Sequence, residues 1–143
     1  MRATAESTTE MAFDVAIRHH HLTIDAKSEH GGGDGGPTPK ELLLASLAGC
    51  TAMDVISILR KMRQRVTAFR VHAEGTQTEG PHPHTVVGMV LTYECEGEVQ
   101  PAKLWRAVHL SHGTYCGVSA MLGAHDPISV RVVLNGEELA DPG

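Results

Sequence analysis

The run of residues from Thr38 to Arg63 is the longest stretch of strong helix formers in the chain. Thr38 is suited to cap a helix, Pro39 fits the first turn, and Glu41 completes a capping box with Thr38. Basic side chains near the other end complement the negative end of the helix dipole. These are Arg60, Lys61, Arg63 and Arg65. The pattern predicts one helix over residues 38–63.

This predicted helix is apolar on almost every side. Asp54 is the one charged residue between Glu41 and Arg60. A helix without a polar face is usually enclosed by protein. At about 1.5 Å per residue it would be roughly 39 Å long, which is long for a single domain of this size. We therefore expect a second subunit to cover part of it.

Composition limits the class of protein. The chain has 143 residues, 41% hydrophobic and 3% aromatic, which predicts one domain over residues 1–143 with an aliphatic core. A net charge of −5 without a basic stripe argues against nucleic acid as a partner. We see no apolar run approaching the roughly 18 to 20 residues of a membrane span, and no signal peptide, so we expect a cytoplasmic protein without a membrane partner.

The remaining elements are predicted from hydrophobic periodicity and turn residues. Strands are predicted at residues 2–7, 11–18, 19–25, 66–73, 85–95 and 128–134. Helices are predicted at residues 100–112 and 114–121, where Gly113 ends the first and Thr114 caps the second. Asn135 and Gly136 should open a polar tail. Strands and helices fall in separate blocks, which indicates an α+β fold with a largely antiparallel sheet.

Two histidine-rich segments and one glycine-rich segment have simple interpretations. Neighbouring residues of a strand point to opposite faces, so the histidines at 19–21 do not converge on one ion. His82 and His84 offer two ligands, which do not make a metal site. We expect no metal and no cofactor. Residues 26–37 contain five glycines and form either a mobile flap or a plain connector.

The chain has three cysteines, an odd number that does not suit a set of structural disulfides. Cys116 is predicted in the first turn of a helix, where the dipole favours a thiolate. Cys50 lies mid-helix, and Asp54 one turn later should raise its pKa, so a buried structural cysteine is the simpler interpretation there. Cys95 lies between Glu94 and Glu96 and should be inert.

Two segments resemble the cysteine motifs of the OsmC/Ohr family, the osmotically inducible and organic hydroperoxide resistance proteins. They are GPTPKELLLASLAGCTAMDVISILRKMRQ at 36–64 and AVHLSHGTYCGVSAML at 107–122. The similarity is closest to the small OsmC-like branch and extends over nearly the whole chain. It implies an OsmC-like fold, with an antiparallel sheet wrapped around a long central helix in an intertwined homodimer.

The resemblance also implies a thiol-dependent peroxidase of oxidative stress defence that reduces organic hydroperoxides. Cys50 would be the peroxidatic cysteine and Cys116 the resolving cysteine, with a dithiol as reductant. We expect the two to face each other across the dimer interface or close to it.

The chain departs from the family pattern. Family members carry an activating glutamate ten residues before the first cysteine, where this chain has Lys40. Glu41 is adjacent but is explained by capping, and Arg18 is the nearest substitute for the family's activating arginine. The alternatives are a non-catalytic dimer that binds a small hydrophobic or thiol-reactive ligand, and a stress-induced structural protein.

Overall fold

The computed structural model describes all 143 residues, in two compact units at 1–43 and 44–143. The strands are β1 Thr4–Ser7, β2 Phe13–Ile17, β3 His20–Ile24, β4 Arg65–Gln77, β5 Val86–Glu98, β6 Ser129–Leu134 and β7 Glu137–Leu139. The α-helices are α1 Pro39–Lys61, α2 Pro101–Leu110 and α3 Gly117–His125, and a π-helical turn at Ser111–Tyr115 follows α2. The predicted α+β class is confirmed.

The first unit contains an antiparallel sheet in the order β1-β2-β3. Phe13 pairs with Ile24 and Val15 with Leu22 across β2 and β3. The three predicted N-terminal strands are therefore confirmed, each somewhat shorter than its sequence pattern.

The glycine-rich segment after β3 is organised by a single carboxylate. Asp25 is 5% exposed and accepts the backbone N–H groups of Ala26, Gly33 and Gly35 at 2.7, 3.1 and 3.0 Å. A side chain at Gly36 would collide with the backbone of Thr23, so this position needs glycine. The hydrogen bond from Gly35, followed by those from Ala26 and Gly33, lowers the pKa of Asp25.

Replacing Asp25 with asparagine is expected to lower the thermal unfolding temperature. A folded-state pKa below the ordinary value of 3.8 means that Asp25 stabilises the fold above that pH and loses this effect as the pH falls through the lower folded pKa. Asp25→Asn should therefore flatten the acid limb of a plot of melting temperature against pH. Asp34→Asn is the matched control, because Asp34 is exposed and its φ of 51° suits asparagine. Equal effects of the two substitutions would contradict this assignment.

Helix α1 begins with the predicted capping box. The N–H of Thr38 donates to Glu41 Oε2 at 2.8 Å, and the N–H of Glu41 donates to Thr38 Oγ1 at 3.4 Å. The helix ends at Lys61, two residues before the predicted end. Arg63 has a φ of 57°, a left-handed conformation that terminates helices.

Only one stripe of α1 is buried within the chain, at Leu47, Thr51, Val55 and Leu59. Outside it Met53 is 73% exposed. Contrary to our expectation, α1 is long and apolar enough to cross a membrane by length and composition, with a mean hydropathy of 2.0 over 18 residues. Core helices of soluble proteins meet the same criterion. Thr51 hydrogen-bonds to Tyr93 of β5, so the middle of α1 is part of the second unit's fold.

The second unit contains a sheet in the order β4-β5-β6-β7. Strands β4 and β5 form an antiparallel pair, as a largely antiparallel sheet predicts, whereas β5 and β6 are parallel. Parallel neighbours need a crossover connection, which α2, the π-helical turn and α3 provide. The predicted polar tail is wrong: Asn135 and Gly136, with φ of 48° and 84°, form a tight turn into β7.

The boundary between the second and third helices also differs from the prediction. Gly113 does not end a helix, since it lies inside the π-helical turn together with Thr114. Cys116, rather than Thr114, caps α3, and its Sγ accepts the N–H of Ser119 at 3.3 Å. Capping rules favour hydroxyl and carboxylate side chains, so the sequence pointed to the threonine.

The core of the second unit is aliphatic, as predicted, and combines α1, β5, α2 and β6. Its fully buried apolar side chains are Leu47, Val55, Leu59, Leu91, Leu104, Ala107, Val108 and Val132. The packing fixes α1 and the start of α3 in the same unit, and both carry a cysteine.

Candidate active site

Cys50 and Cys116 lie together within a single chain. Cys50 comes from the middle of α1 and Cys116 from the residue that caps α3. Their sulfur atoms and a carboxylate oxygen of Asp54 all lie within 4.8 Å of one another. Cys50 is half-buried and Cys116 is 3% exposed. One chain supplies both sulfurs, so the pair does not need to face across two subunits, and its position close to a dimer interface stays a prediction.

The start of α3 presents backbone amides to both sulfur atoms. The N–H of Ser119 donates to Cys116 Sγ at 3.3 Å, and the N–H of Val118 is near enough to Cys50 to act on the pKa of its thiol. The first amides of a helix lack partners within the helix and carry the positive end of its dipole. Cys50, which lies in the middle of α1, therefore has the N-terminus of α3 beside it.

The thiol of Cys50 nevertheless resists ionisation. Burial raises its pKa most, and the neighbouring Cys116 and the charge of Asp54 raise it further, while the Val118 amide opposes these effects. The expected effect of Asp54 is confirmed. At neutral pH Cys50 is mainly a thiol, so forming its thiolate requires a proton acceptor nearby.

Asp54 begins a chain of hydrogen bonds that leads away from the cysteines. Ser111 Oγ donates to Asp54 Oδ2 at 3.0 Å, and Ser111 Oγ lies 2.9 Å from Thr51 Oγ1. Thr51 Oγ1 also bonds to the hydroxyl of Tyr93, which in turn lies 2.8 Å from His112 Nε2. The chain joins α1, β5 and the π-helical turn.

The middle of this chain is closed to solvent, since Thr51, Tyr93 and Ser111 are each 0% exposed. Burial raises the pKa of Tyr93, which keeps its hydroxyl protonated. Burial, and then the nearby His109, lower the pKa of His112, so the imidazole is neutral at pH 7. Of these residues, Tyr93 therefore keeps its proton and His112 is a neutral base.

The sequence identified the two cysteines but missed most of their surroundings. From the sequence, Asp54 stands out only as a neighbour of Cys50, although a lone carboxylate in an apolar helix is a signal for a functional residue. Ser111 and His112 fall at the end of the predicted helix at 100–112, and Tyr93 falls within the predicted strand at 85–95. No local pattern indicates that these residues meet Thr51.

The cluster of Cys50, Cys116 and Asp54 has the side-chain types of a metal site. It supplies three donors, fewer than the four protein ligands of a structural zinc site and equal to the three of a catalytic one. Cys116 Sγ also accepts the N–H of Ser119. The cluster therefore offers a close pair of thiols beside a carboxylate.

Other residues considered from the sequence have structural roles here. Glu41 completes the capping box and lies 3.8 Å from the amino group of Lys27. Cys95 is 1% exposed, and burial, followed by the charge of Glu96, raises its pKa. Neither condition favours a thiolate at Cys95, consistent with an inert residue. Arg18 and Lys40 belong to the first unit.

The sequence profile of the OsmC family, described as OsmC-like protein, matches residues 31–131. Protein YhfA of Escherichia coli is 36% identical over 104 residues, which cover 72% of this chain and 74% of that protein. A hypothetical protein from Aquifex aeolicus has a similar structure, with 29% identity, a TM-score of 0.83, and coverage of 96% of this chain and 97% of that one.

A protein of known structure from Legionella pneumophila has the same fold. It is described as an organic hydroperoxide resistance protein OsmC, and it is 15% identical with a TM-score of 0.72, covering 93% of this chain and 97% of that one. The predicted OsmC-like fold is confirmed by these similarities. From the profile match and the identity to YhfA, the chain belongs to the OsmC family.

Proposed function

We propose that the protein is a thiol-dependent peroxidase that reduces organic hydroperoxides, with Cys50 as the peroxidatic cysteine and Cys116 as the resolving cysteine. The observation that carries the proposal is the meeting of two sulfurs from distant segments within 4.8 Å, at the amides of one helix start. The hydroperoxide resistance named for the Legionella protein supports the same chemistry.

The cycle has three balanced steps. The Cys50 thiolate attacks the terminal oxygen of ROOH, the O–O bond breaks, and the alkoxide takes a proton to leave as ROH while Cys50 becomes a sulfenic acid. The thiol of Cys116 then attacks the Cys50 sulfur, which forms a disulfide and releases water. An external dithiol reduces that disulfide by two successive exchanges and becomes oxidised itself.

The surroundings of Cys50 favour an organic substrate. Apolar side chains flank it on α1, including Leu47 and Met53. Cys50 is only half-buried, and the amides of Val118 and Ser119 supply polar contacts at the sulfurs. We place the protein in the cytoplasm, where cellular dithiols keep such a pair reduced.

The first test is reduction of cumene hydroperoxide and hydrogen peroxide by the purified protein with dithiothreitol. We expect faster turnover of the organic peroxide and no turnover by Cys50→Ser, since serine cannot form the sulfenic acid. Cys95→Ser is the matched control and should retain the wild-type rate, because Cys95 lies in the core away from the pair. Turnover that persists in Cys50→Ser would refute the assignment.

A second candidate is a non-catalytic protein that binds a small hydrophobic or thiol-reactive ligand. The raised pKa of Cys50 favours it, as does lysine at position 40 in place of the family's glutamate. In that case peroxide would consume the thiols once, in proportion to protein, and dithiothreitol would not sustain a reaction.

We also propose that the protein is a homodimer in which a second copy covers α1. The support is the mismatch between an almost wholly apolar helix and its single buried stripe. Met53 is 73% exposed and Leu43 is 43% exposed on this helix. In addition, the first unit buries only Ala12 and Asp25, so it too has surface available for a partner.

Glutamate in place of Met53 is expected to weaken this dimer, because association would then bury a charge on an apolar surface. Sedimentation velocity should show a dimer for the wild type and a shift toward monomer for Met53→Glu. Met53→Leu, which keeps an apolar side chain, should remain dimeric. A wild-type chain that sediments as a monomer would refute the homodimer.

A further inference from the structure

When Asp54 is a carboxylate, the hydrogen bonds between Asp54 and His112 have one consistent set of donors. Each hydroxyl has a single proton. Ser111 gives its proton to the carboxylate of Asp54, so Thr51 must donate to Ser111. Tyr93 must then donate to Thr51, and His112 Nε2 must carry the proton that it donates to Tyr93. The charge of Asp54 thereby sets the tautomer of a histidine four hydrogen bonds away.

When Asp54 is protonated, every hydrogen bond of the series can also form with its donor and acceptor exchanged. A protonated Asp54 donates to Ser111, Ser111 donates to Thr51, Thr51 donates to Tyr93, and Tyr93 donates to His112 Nε2. The two orientations are connected by one hop of a proton along each hydrogen bond. A single extra proton therefore resides either on Asp54 as a carboxylic acid or on His112 as an imidazolium, without any heavy atom leaving its place.

We propose that Asp54, Ser111, Thr51, Tyr93 and His112 form a proton wire that connects the Cys50 thiol with solvent at the half-buried His112 ring. The catalytic role of this wire rests on the proposed peroxidase function, whereas its existence rests on the hydrogen bonds alone. The three middle residues of the wire, Ser111, Thr51 and Tyr93, are fully buried, so the hydrogen bonds run from Asp54 to His112 without a bridging water molecule.

The wire supplies the protons that the cycle moves. Asp54, within 4.8 Å of Cys50 Sγ, takes the thiol proton when the thiolate forms. The same proton returns from Asp54 to the alkoxide as the O–O bond breaks. When the dithiol reduces the disulfide, Cys50 and Cys116 leave as thiolates, and protons from solvent reach them through His112 and Asp54. Asp54 acts on reacting atoms, and the other four residues are positioning residues that act through it.

The ionisable groups that face the wire are few. Cys50 and Cys116 face Asp54, from α1 and from the cap of α3. His112 faces Tyr93 of β5 and His109 of α2, and His109 itself lies 3.1 Å from Asp141. Substitutions at Thr51 leave all of these groups in place, so Thr51 is the position at which to cut the wire.

Thr51→Val keeps the shape of the side chain and removes its hydroxyl, whereas Thr51→Ser keeps the hydroxyl. The readout that does not depend on activity is the NMR titration of the His112 ring, with and without Asp54→Asn. The asparagine removes the charge that makes Tyr93 accept from His112, so it should lower the His112 pKa. We expect a clearly smaller decrease in the Thr51→Val background, and the full decrease with Thr51→Ser. Equal decreases in all three backgrounds would overturn the wire.

The kinetic readout is turnover of cumene hydroperoxide. Cutting the wire should lower kcat at least about tenfold, because positioned proton transfer contributes roughly 10²–10⁴-fold in enzymes. The KM should stay unchanged, and Thr51→Ser should restore most of the rate. Thr51→Ser behaving like Thr51→Val would overturn the wire's role in turnover. If Thr51→Val is unfolded by circular dichroism, Tyr93→Phe cuts the wire at the next hydroxyl and is judged in the same way.

The two proposals fail differently. A wild-type protein without peroxide turnover, but with the Thr51-dependent shift of the His112 pKa, refutes the peroxidase and supports the wire. Peroxide turnover without that shift supports the peroxidase and overturns the wire.

Discussion

The Cys116→Ser protein is expected to reduce one equivalent of organic hydroperoxide and then to keep Cys50 as a sulfenic acid. The substitution removes the cysteine whose sulfur lies within 4.8 Å of Cys50, so the disulfide cannot form with it. The fold should survive, because serine is a favoured residue at a helix N-cap, the position that Cys116 occupies. Mass spectrometry after treatment with dimedone, which reacts with sulfenic acids, should detect the adduct on Cys50.

The wild type serves as the comparison for this variant. With peroxide it should lose two thiols per chain, form an intrachain disulfide and give no dimedone adduct. Cys95→Ser should behave as the wild type does, because its sulfur lies apart in the core. A Cys116→Ser protein that forms a disulfide between Cys50 and Cys95, or that gives no adduct after consuming peroxide, would contradict the resolving role of Cys116.

Leu59→Ala is expected to lower the free energy of unfolding by about 2–5 kcal/mol. Leu59 is 0% exposed at the end of the buried stripe of α1, so its truncation leaves a cavity in the aliphatic core of the second unit. Leu59 is also nine residues beyond Cys50, more than two turns along the helix. The loss should appear as a lower urea midpoint at an unchanged slope.

Met121→Ala is the matched control for this truncation. Met121 is a large apolar residue of α3 that is 70% exposed, so its loss should change the free energy of unfolding by less than about 0.5 kcal/mol. Comparable losses for the two variants would mean that the buried stripe of α1 does not define the core.

Much of the fold could be predicted from the sequence because its signals are local. Thr38, Pro39 and Glu41 mark the start of α1 through contacts made within a single turn. The strands β4 and β5 follow from alternating apolar residues. By contrast, the parallel pairing of β5 with β6 depends on a crossover of three elements, and the strand β7 on a turn whose sequence also suits a tail.

The two cysteines of the candidate site could be predicted from the sequence, but the hydrogen bonds and charges around them could not. Motif resemblance identified Cys50 and Cys116 because cysteine motifs are read directly from the chain. The contact of Val118 with Cys50 and the contacts of Thr51 with Tyr93 and Ser111 join segments 42 to 68 residues apart. Local patterns carry no information about such pairings, which only the packed core defines.

The π-helical turn at Ser111–Tyr115 makes the length of this segment as important as its composition. Relative to an α-helix, a π-helical turn accommodates one additional residue. The N–H of Cys116 donates to the C=O of Ser111 at 2.8 Å, five residues earlier, and this hydrogen bond places Cys116 at the start of α3. Removing Gly113 would leave one residue too few for that hydrogen bond, so Cys116 would lose the contact that fixes its position. Apart from Ser111 and His112, which take part in the hydrogen bonds to Asp54 and Tyr93, the segment should therefore accept substitutions more readily than an insertion or a deletion, because its length fixes the spacing between α2 and Cys116.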